Sequence, residues 1–346
     1  MTAQLKDLIE DIAIALVTTG KGLLAADESS ATIKKRFDAI NLVSTEETRR
    51  DYRELLFSTN EAMQNAISGV ILYDETIRQK ASDGTPFTDM IRKNGAYPGI
   101  KVDMGAKPLA GFKDETITEG LDGLRERLRD YYELGARFAK WRAVININAT
   151  TLPTTGAIKQ NADALARYAA LCQEAGIVPI VEPEVLMDGK PANHSIDRCY
   201  EVTQYVLNTV FDALYEARIK LEGMILKPNM IIDGKNARHA DAQEIAVKTI
   251  ACLKATVPAA VPGIAFLSGG QSDIEATKHL NIINSLGALP WKVTFSYGRA
   301  LQAACLEKWQ GKAENKAYAQ KAFAHRAHMN SLASQGKWTQ EAENKA

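Results

Sequence analysis

The sequence predicts a single-domain (β/α)8 barrel of the TIM type, an α/β fold with helical additions at both ends, and three observations predict it. Short β-branched runs recur roughly every thirty to forty-five residues, each followed by a helical pattern. Charged pairs cluster at the carboxyl ends of these runs, where a barrel builds its working rim. No Pro-, Gly- or Ser-rich linker divides the chain. The competing doubly wound open sheet lacks its signatures, since no G-x-G-x-x-G turn opens a helix and there is no P-loop. Residues 1–335 are read as the barrel and 336–346 as a polar, mobile tail.

In chain order, Leu5, Leu8, Ile9, Ile12 and Leu16 stand at helical spacing with charges between them, which predicts an amphipathic helix and not a signal peptide. The eight runs are GLLAAD near 22, GVILYD at 69, GIKVD at 99, FAKWRAVI at 138, IVPIVEPE at 177, GMILKPN at 223, GIAFLSGG at 263 and KVTFSYG at 292. Capping-box spacing at Ser44 to Glu47, Asp241 to Glu244 and Ser272 to Glu275 predicts three helix starts. Leu121, Leu124, Leu128 and Tyr131 form one apolar stripe ended by Gly135. Ile158, Ala162, Leu165, Ala169 and Cys172 form another, ended by Gly176.

Composition narrows the function classes. The 42 basic and 42 acidic residues cancel, so no long-range basic field exists to attract nucleic acid or an anionic membrane. No apolar run reaches the roughly 18 residues of a membrane span. Cys172, Cys199, Cys252 and Cys305 have no C-x-x-C spacing, which argues against a zinc site or a disulfide framework. A cytoplasmic enzyme without a metal is the expectation.

Residues two apart in a strand share a face. Lys101 with Asp103, Lys140 with Arg142, Glu182 with Glu184, and Lys227 with Asn229 therefore project together from predicted strand ends. Asp27, Ser268 and Arg299 end other strands in the same way. Lys140 with Glu182 is open to reading as a structural ion pair. So many inward charges together point to function, because pairing at best roughly offsets desolvation. Nucleophilic use of a lysine needs the free amine, which an ordinary lysine presents about once in 2,500 at pH 7. Burial and a second cation both favour that form, and Lys140 across the mouth from Lys227 is the candidate neighbour.

The segment FLSGGQS sets Ser268, Gly269 and Gly270 between a strand end and a capped helix, a geometry suited to phosphate and equally to a tight turn. Arg299 can add a charged fork. Lys101, Arg142 and Arg36, with Ser29 and Thr32, form a second basic set. Two anion sites flanking an amine suggest a substrate phosphorylated at both ends.

The motifs GKGLLAADES, FAKWRAV, GIVPIVEPE, LEGMILKPNM, GIAFLSGGQS and TFSYGRALQ closely resemble those of class I fructose-1,6-bisphosphate aldolases, in the family's order and near its spacing from about Leu5 to Trp338. The resemblance implies reversible cleavage of fructose 1,6-bisphosphate to dihydroxyacetone phosphate and glyceraldehyde 3-phosphate, without a metal or other cofactor. It implies Lys227 as the Schiff-base lysine, Asp27 as the group that takes the hydroxyl proton, and Glu182 as the acid-base of dehydration. Glu184 then tunes charge and Lys140 assists imine formation. Ser268, Gly269, Gly270, Ser296, Gly298 and Arg299 match the cradle for the ketone-side phosphate. Ser29, Thr32, Arg36, Lys101 and Arg142 match positions for the other phosphate or the sugar hydroxyls, and Trp141 is read as packing. The family's vertebrate members end in a tyrosine that assists proton exchange at the enamine, whereas this sequence ends in ENKA and its last tyrosine is Tyr318. The expectation is that the tail is dispensable. A homotetramer binding sugar phosphates, with no nucleic-acid or membrane partner, is also implied. Another Schiff-base ketose-phosphate aldolase, or a non-catalytic sugar-phosphate-binding scaffold, are the rival readings.

Overall fold

A computed structural model describes residues 8–237 and 239–345. Eight parallel strands close into a barrel: β1 (Gly22–Ala26), β2 (Ile67–Leu72), β3 (Tyr97–Lys101), β4 (Phe138–Ile145), β5 (Val178–Val185), β6 (Ile225–Leu226), β7 (Gly263–Phe266) and β8 (Lys292–Tyr297). Each strand pairs with its neighbours in sequence, and β1 pairs with β8 to complete the ring. All eight runs read from the sequence are strands. A two-stranded antiparallel ribbon, Ala106–Pro108 with Thr116–Thr118, lies outside the barrel.

Two apolar layers hold the ring. Leu23, Ala25, Ile71, Phe138, Val178, Ile180, Ile225 and Ala265 point inward, and they pack with Ile12, Ala13, Leu16 and Val17 of the helix Ile9–Leu16. That amphipathic helix therefore closes the amino-terminal end of the barrel, with Leu5 outside the described residues. Alternate residues such as Leu24, Val70, Trp141, Val181, Leu226 and Phe266 face outward against the surrounding helices. Trp141 stacks on Tyr168 with ring centroids 5.5 Å apart, the packing role read for it. The inner layer has no spare room. A Cβ on Gly99 would run into the Phe138 ring, so the missing side chain on β3 makes space for the large one on β4.

Helix starts follow the sequence with one shift. Ser272 and Glu275 form a capping box, and Asp241 accepts from the Glu244 amide. The box expected at Ser44 and Glu47 is instead made one residue later by Thr45 and Thr48, whose hydroxyl reaches back to the Thr45 amide. Leu121 precedes its helix, Leu124–Glu133, and packs from the loop. The four cysteines are free and buried. Among the described residues no helix is long and apolar enough to cross a membrane.

The segment expected to be a mobile tail is docked. Trp338 and Glu343 are both buried, although most of their neighbours in sequence are polar. Glu343 pairs with buried Arg326 of the helix Lys316–Ala333 and accepts from the Trp338 indole at 2.8 Å. Arg326 also donates to Thr277 Oγ1 at 2.6 Å in the helix Asp273–Ser285. The overall polarity concealed one tryptophan and one carboxylate that find buried partners. Truncating Glu343 to alanine strands the Arg326 charge, and breaking such a pair costs about 3–5 kcal/mol. Urea unfolding should show that loss, and an unchanged midpoint would contradict the docked arrangement.

Candidate active site

Asp27, Lys140, Glu182 and Lys227 come together at the carboxyl end of the barrel because each follows an inward-facing apolar residue on its strand. Period-two alternation carries Phe138 to Lys140, Ile180 to Glu182, Ile225 to Lys227, and Ala25 to Asp27. Lys140 Nζ lies 2.7 Å from Asp27 Oδ2 and 3.4 Å from Glu182 Oε2. Lys227 Nζ lies 3.1 Å from Glu182 Oε1. Glu182 thus sits between two lysines, and the expected face-to-face lysine pair is bridged by a carboxylate. Lys140, Glu182 and Lys227 are buried, so these contacts are weakly screened.

Burial raises the Asp27 pKa, but the Lys140 and Lys227 ammonium groups outweigh it and hold the carboxyl at about 2. Burial lowers that of Lys140, while Asp27 and Glu182 more than compensate and keep it a cation above the ordinary range. Glu184 stands above Glu182 and pairs with Arg142, whose pKa it raises. Lys101 pairs with Asp103 at 2.7 Å, and Asp103 also accepts from the Arg142 amide at 3.3 Å.

Ser29, Thr32, Arg36, Lys101 and Arg142 line one cavity of about 800 Å³ together with Asp27, Lys140 and Gly298. Ser29 caps the helix Ser30–Asp38, and its hydroxyl lies 3.1 Å from that of Thr32. Arg36 follows Thr32 by one helical turn and so shares its face.

The second predicted set divides. Ser268 and Ser296 are buried at strand ends, and Ser296 Oγ has no hydrogen-bond partner among the described residues. A Cβ on Gly269 would stand 2.9 Å from Glu184 Oε1, and Gly270 has φ +76°, so both glycines are required by close approach or by conformation. Gly270 and Arg299 border a separate cavity of about 560 Å³, and Arg299 donates to the Gln271 carbonyl at 2.9 Å. Arg299 opens the helix Arg299–Trp309 behind Gly298, leaving amide groups at its amino end suited to an anion.

Asn229 does not project with Lys227. The strand stops at Leu226, and the Asn229 side-chain amide instead accepts from the Val185 amide at 3.0 Å and donates to Thr203 at 3.2 Å. Glu28, Arg53 and Gln302 are linked to the cavity and were not singled out by the sequence. Glu28 alternates outward after Asp27, and its partners lie distant in the chain. Among the described residues, no group of three or more His, Cys, Asp or Glu is placed to hold a metal ion.

The profile of a family described as "Fructose-bisphosphate aldolase class-I" matches residues 8–346. The chain is 55% identical over 332 residues to a "Probable fructose-bisphosphate aldolase class 1" of Xanthomonas campestris pv. campestris, covering 95% of this chain and 98% of that one. It is 51% identical over 340 residues to "Fructose-bisphosphate aldolase B" of Gallus gallus, covering 98% and 92%. A solved fructose-bisphosphate aldolase from Plasmodium falciparum, in complex with TRAP and a small-molecule inhibitor, superposes with a TM-score of 0.92 at 50% identity, over 96% of this chain and 95% of that one.

The Asp27 environment has a consequence for stability. Its folded-state pKa is depressed from 3.8 to about 2, so its pairing stabilises the fold above the unfolded value and is lost as pH falls through the folded one. About 2 kcal/mol should disappear between roughly pH 4 and pH 2. In urea unfolding, the stability gap between the native chain and Asp27→Asn should narrow over that window. A gap independent of pH would contradict the assignment.

Proposed function

Because this chain belongs to the class-I fructose-bisphosphate aldolase family, we propose that it cleaves fructose 1,6-bisphosphate reversibly through an imine on Lys227, giving dihydroxyacetone phosphate and glyceraldehyde 3-phosphate. The observation that carries the assignment is the Glu182 carboxylate 3.1 Å from Lys227 Nζ and 3.4 Å from Lys140 Nζ. A carboxylate in that position takes a proton from the attacking amine and later returns one to the hydroxyl that leaves as water.

Lys227 Nζ attacks the ketone carbon, the C2–O bond breaks with loss of water, and a protonated imine remains. Asp27 then accepts the proton of the C4 hydroxyl. The electrons of that O–H bond form the aldehyde carbonyl, the C3–C4 bond breaks, and its electron pair flows to the iminium nitrogen. Asp27 begins as a weak base because two cations hold its pKa down. One of those charges, on the Lys227 nitrogen, is neutralised as the enamine forms. Its affinity for a proton therefore rises in the step that delivers one. Lys140 stays charged throughout, keeping Asp27 ionised until it takes that proton and oriented while it does.

Ser268, Gly269, Gly270, Ser296, Gly298 and Arg299 are assigned to the ketone-side phosphate, supported by the orphaned Ser296 hydroxyl and the two constrained glycines. Ser29, Thr32, Arg36, Lys101 and Arg142 are assigned to the other phosphate and the hydroxyls, supported by their shared cavity. Glu184 neutralises Arg142 between the two. This reading places the enzyme in glycolysis and gluconeogenesis, as a cytoplasmic homotetramer that needs no cofactor.

Incubation with dihydroxyacetone phosphate and borohydride should leave a stable adduct on the peptide containing Lys227, and activity should survive EDTA. An adduct on another lysine would overturn the site, and loss of activity with the chelator would overturn the metal-free mechanism. Glu182→Gln should slow imine formation about 10²-fold or more, since a positioned acid-base contributes on that scale. Stopped-flow mixing with substrate measures that rate directly.

A further inference from the structure

Glu28 is buried between two arginines at the edge of the large cavity. Its Oε2 accepts from Arg53 Nη2 at 2.6 Å, and its Oε1 accepts from both Arg36 Nη1 and Gln302 Nε2, the latter at 3.0 Å. The two ends of this arrangement differ. The Arg53 side chain is 3% exposed and lies over the Tyr52 ring, so it cannot turn to solvent, whereas Arg36 is 26% exposed and faces the cavity. Gln302 ties the same carboxylate to the strand end, because its Nε2 also donates to the Ala25 carbonyl at 2.7 Å. Arg36 Nη2 lies beside Gly298, 3.8 Å from where a Cβ there would stand.

We propose that Glu28 is a positioning residue that presets Arg36 for the phosphate distal to the ketone, and so sets the preference for a ketose bisphosphate over a ketose monophosphate. Glu28 touches neither Lys227 nor the reacting carbons. Two arginines on one carboxylate leave a net positive charge, and the buried Arg53 holds Glu28 fixed, so the surplus charge is presented to the cavity through Arg36. A flexible arginine would lose rotamer entropy on binding an anion, and this clamp removes that loss before the substrate arrives. The inference rests on the assignment of Arg36 to the distal phosphate.

The test is the ratio of kcat/KM for fructose 1,6-bisphosphate to kcat/KM for fructose 1-phosphate, in which general damage to the fold or to the imine chemistry cancels. Arg36→Gln should lower the ratio about tenfold, the scale of one charge-assisted hydrogen bond. Glu28→Gln should lower it about fivefold through KM for the bisphosphate, since one held rotamer is at stake. An unchanged ratio in Arg36→Gln overturns the assignment of Arg36, and with it this inference. A changed ratio in Arg36→Gln with an unchanged one in Glu28→Gln overturns the inference alone, as does an equal loss of both substrates in Glu28→Gln. If Glu28→Gln fails to fold because Arg53 is stranded, the double variant Glu28→Gln with Arg53→Gln removes that charge. It must show the same fall in ratio, and an unchanged ratio again overturns the proposal.

Discussion

Asp27, Lys140, Glu182 and Lys227 alternate in sign across the mouth of the barrel, each within ion-pair distance of the next. Lys140 and Glu182 stand on β4 and β5, and Asp27 and Lys227 directly follow β1 and β6, so the series can form only in the closed ring. Removing one member leaves a buried charge without its counterpart, a loss far larger than that of an exposed ion pair. A site of this kind tolerates little displacement. The apolar floor beneath it, where Phe138 fills the space left by Gly99 and the amino-terminal helix closes the end, supplies the rigidity it requires.

The same alternation supports the proposed chemistry. Glu182 serves both lysines, which suits a group that must accept and return protons around the imine. Asp27 is held ionised by Lys140 and Lys227 together, and loses one of those influences when the iminium charge is discharged. On the proposed mechanism, two carboxylates of the same chemical type are thereby suited to different tasks by their neighbours. The groups proposed for the two phosphates lie on either side of this line, at the strand ends of β7 and β8 and on the helix Ser30–Asp38.

Much of this was legible in the sequence because strand periodicity is strict. FAKWRAVI and IVPIVEPE alternate between a residue for the inside and one for the outside, so Lys140, Arg142, Glu182 and Glu184 could be placed before any fold was seen. Lys227 followed from the same rule, but Asn229 did not, because the strand ends at Leu226 and the Asn229 side chain bonds the Val185 amide and Thr203 instead. Glu28 was hidden by that rule too, since its alternation points outward and its partners Arg53 and Gln302 lie distant in sequence. The carboxyl-terminal segment looked mobile from its polarity, yet Trp338 and Glu343 are buried, the carboxylate bonding both the indole and Arg326. Pairings between distant buried charges leave no periodic trace.

The central claim is that Glu182 governs imine formation while Asp27 governs cleavage of the carbon-carbon bond. Rapid quenching of the Asp27→Asn variant with borohydride after mixing with fructose 1,6-bisphosphate, followed by mass analysis of the Lys227 peptide, tests it most directly. The account predicts a trapped adduct that retains all six sugar carbons, formed at close to the native rate. A three-carbon adduct appearing as fast as in the native enzyme would contradict it.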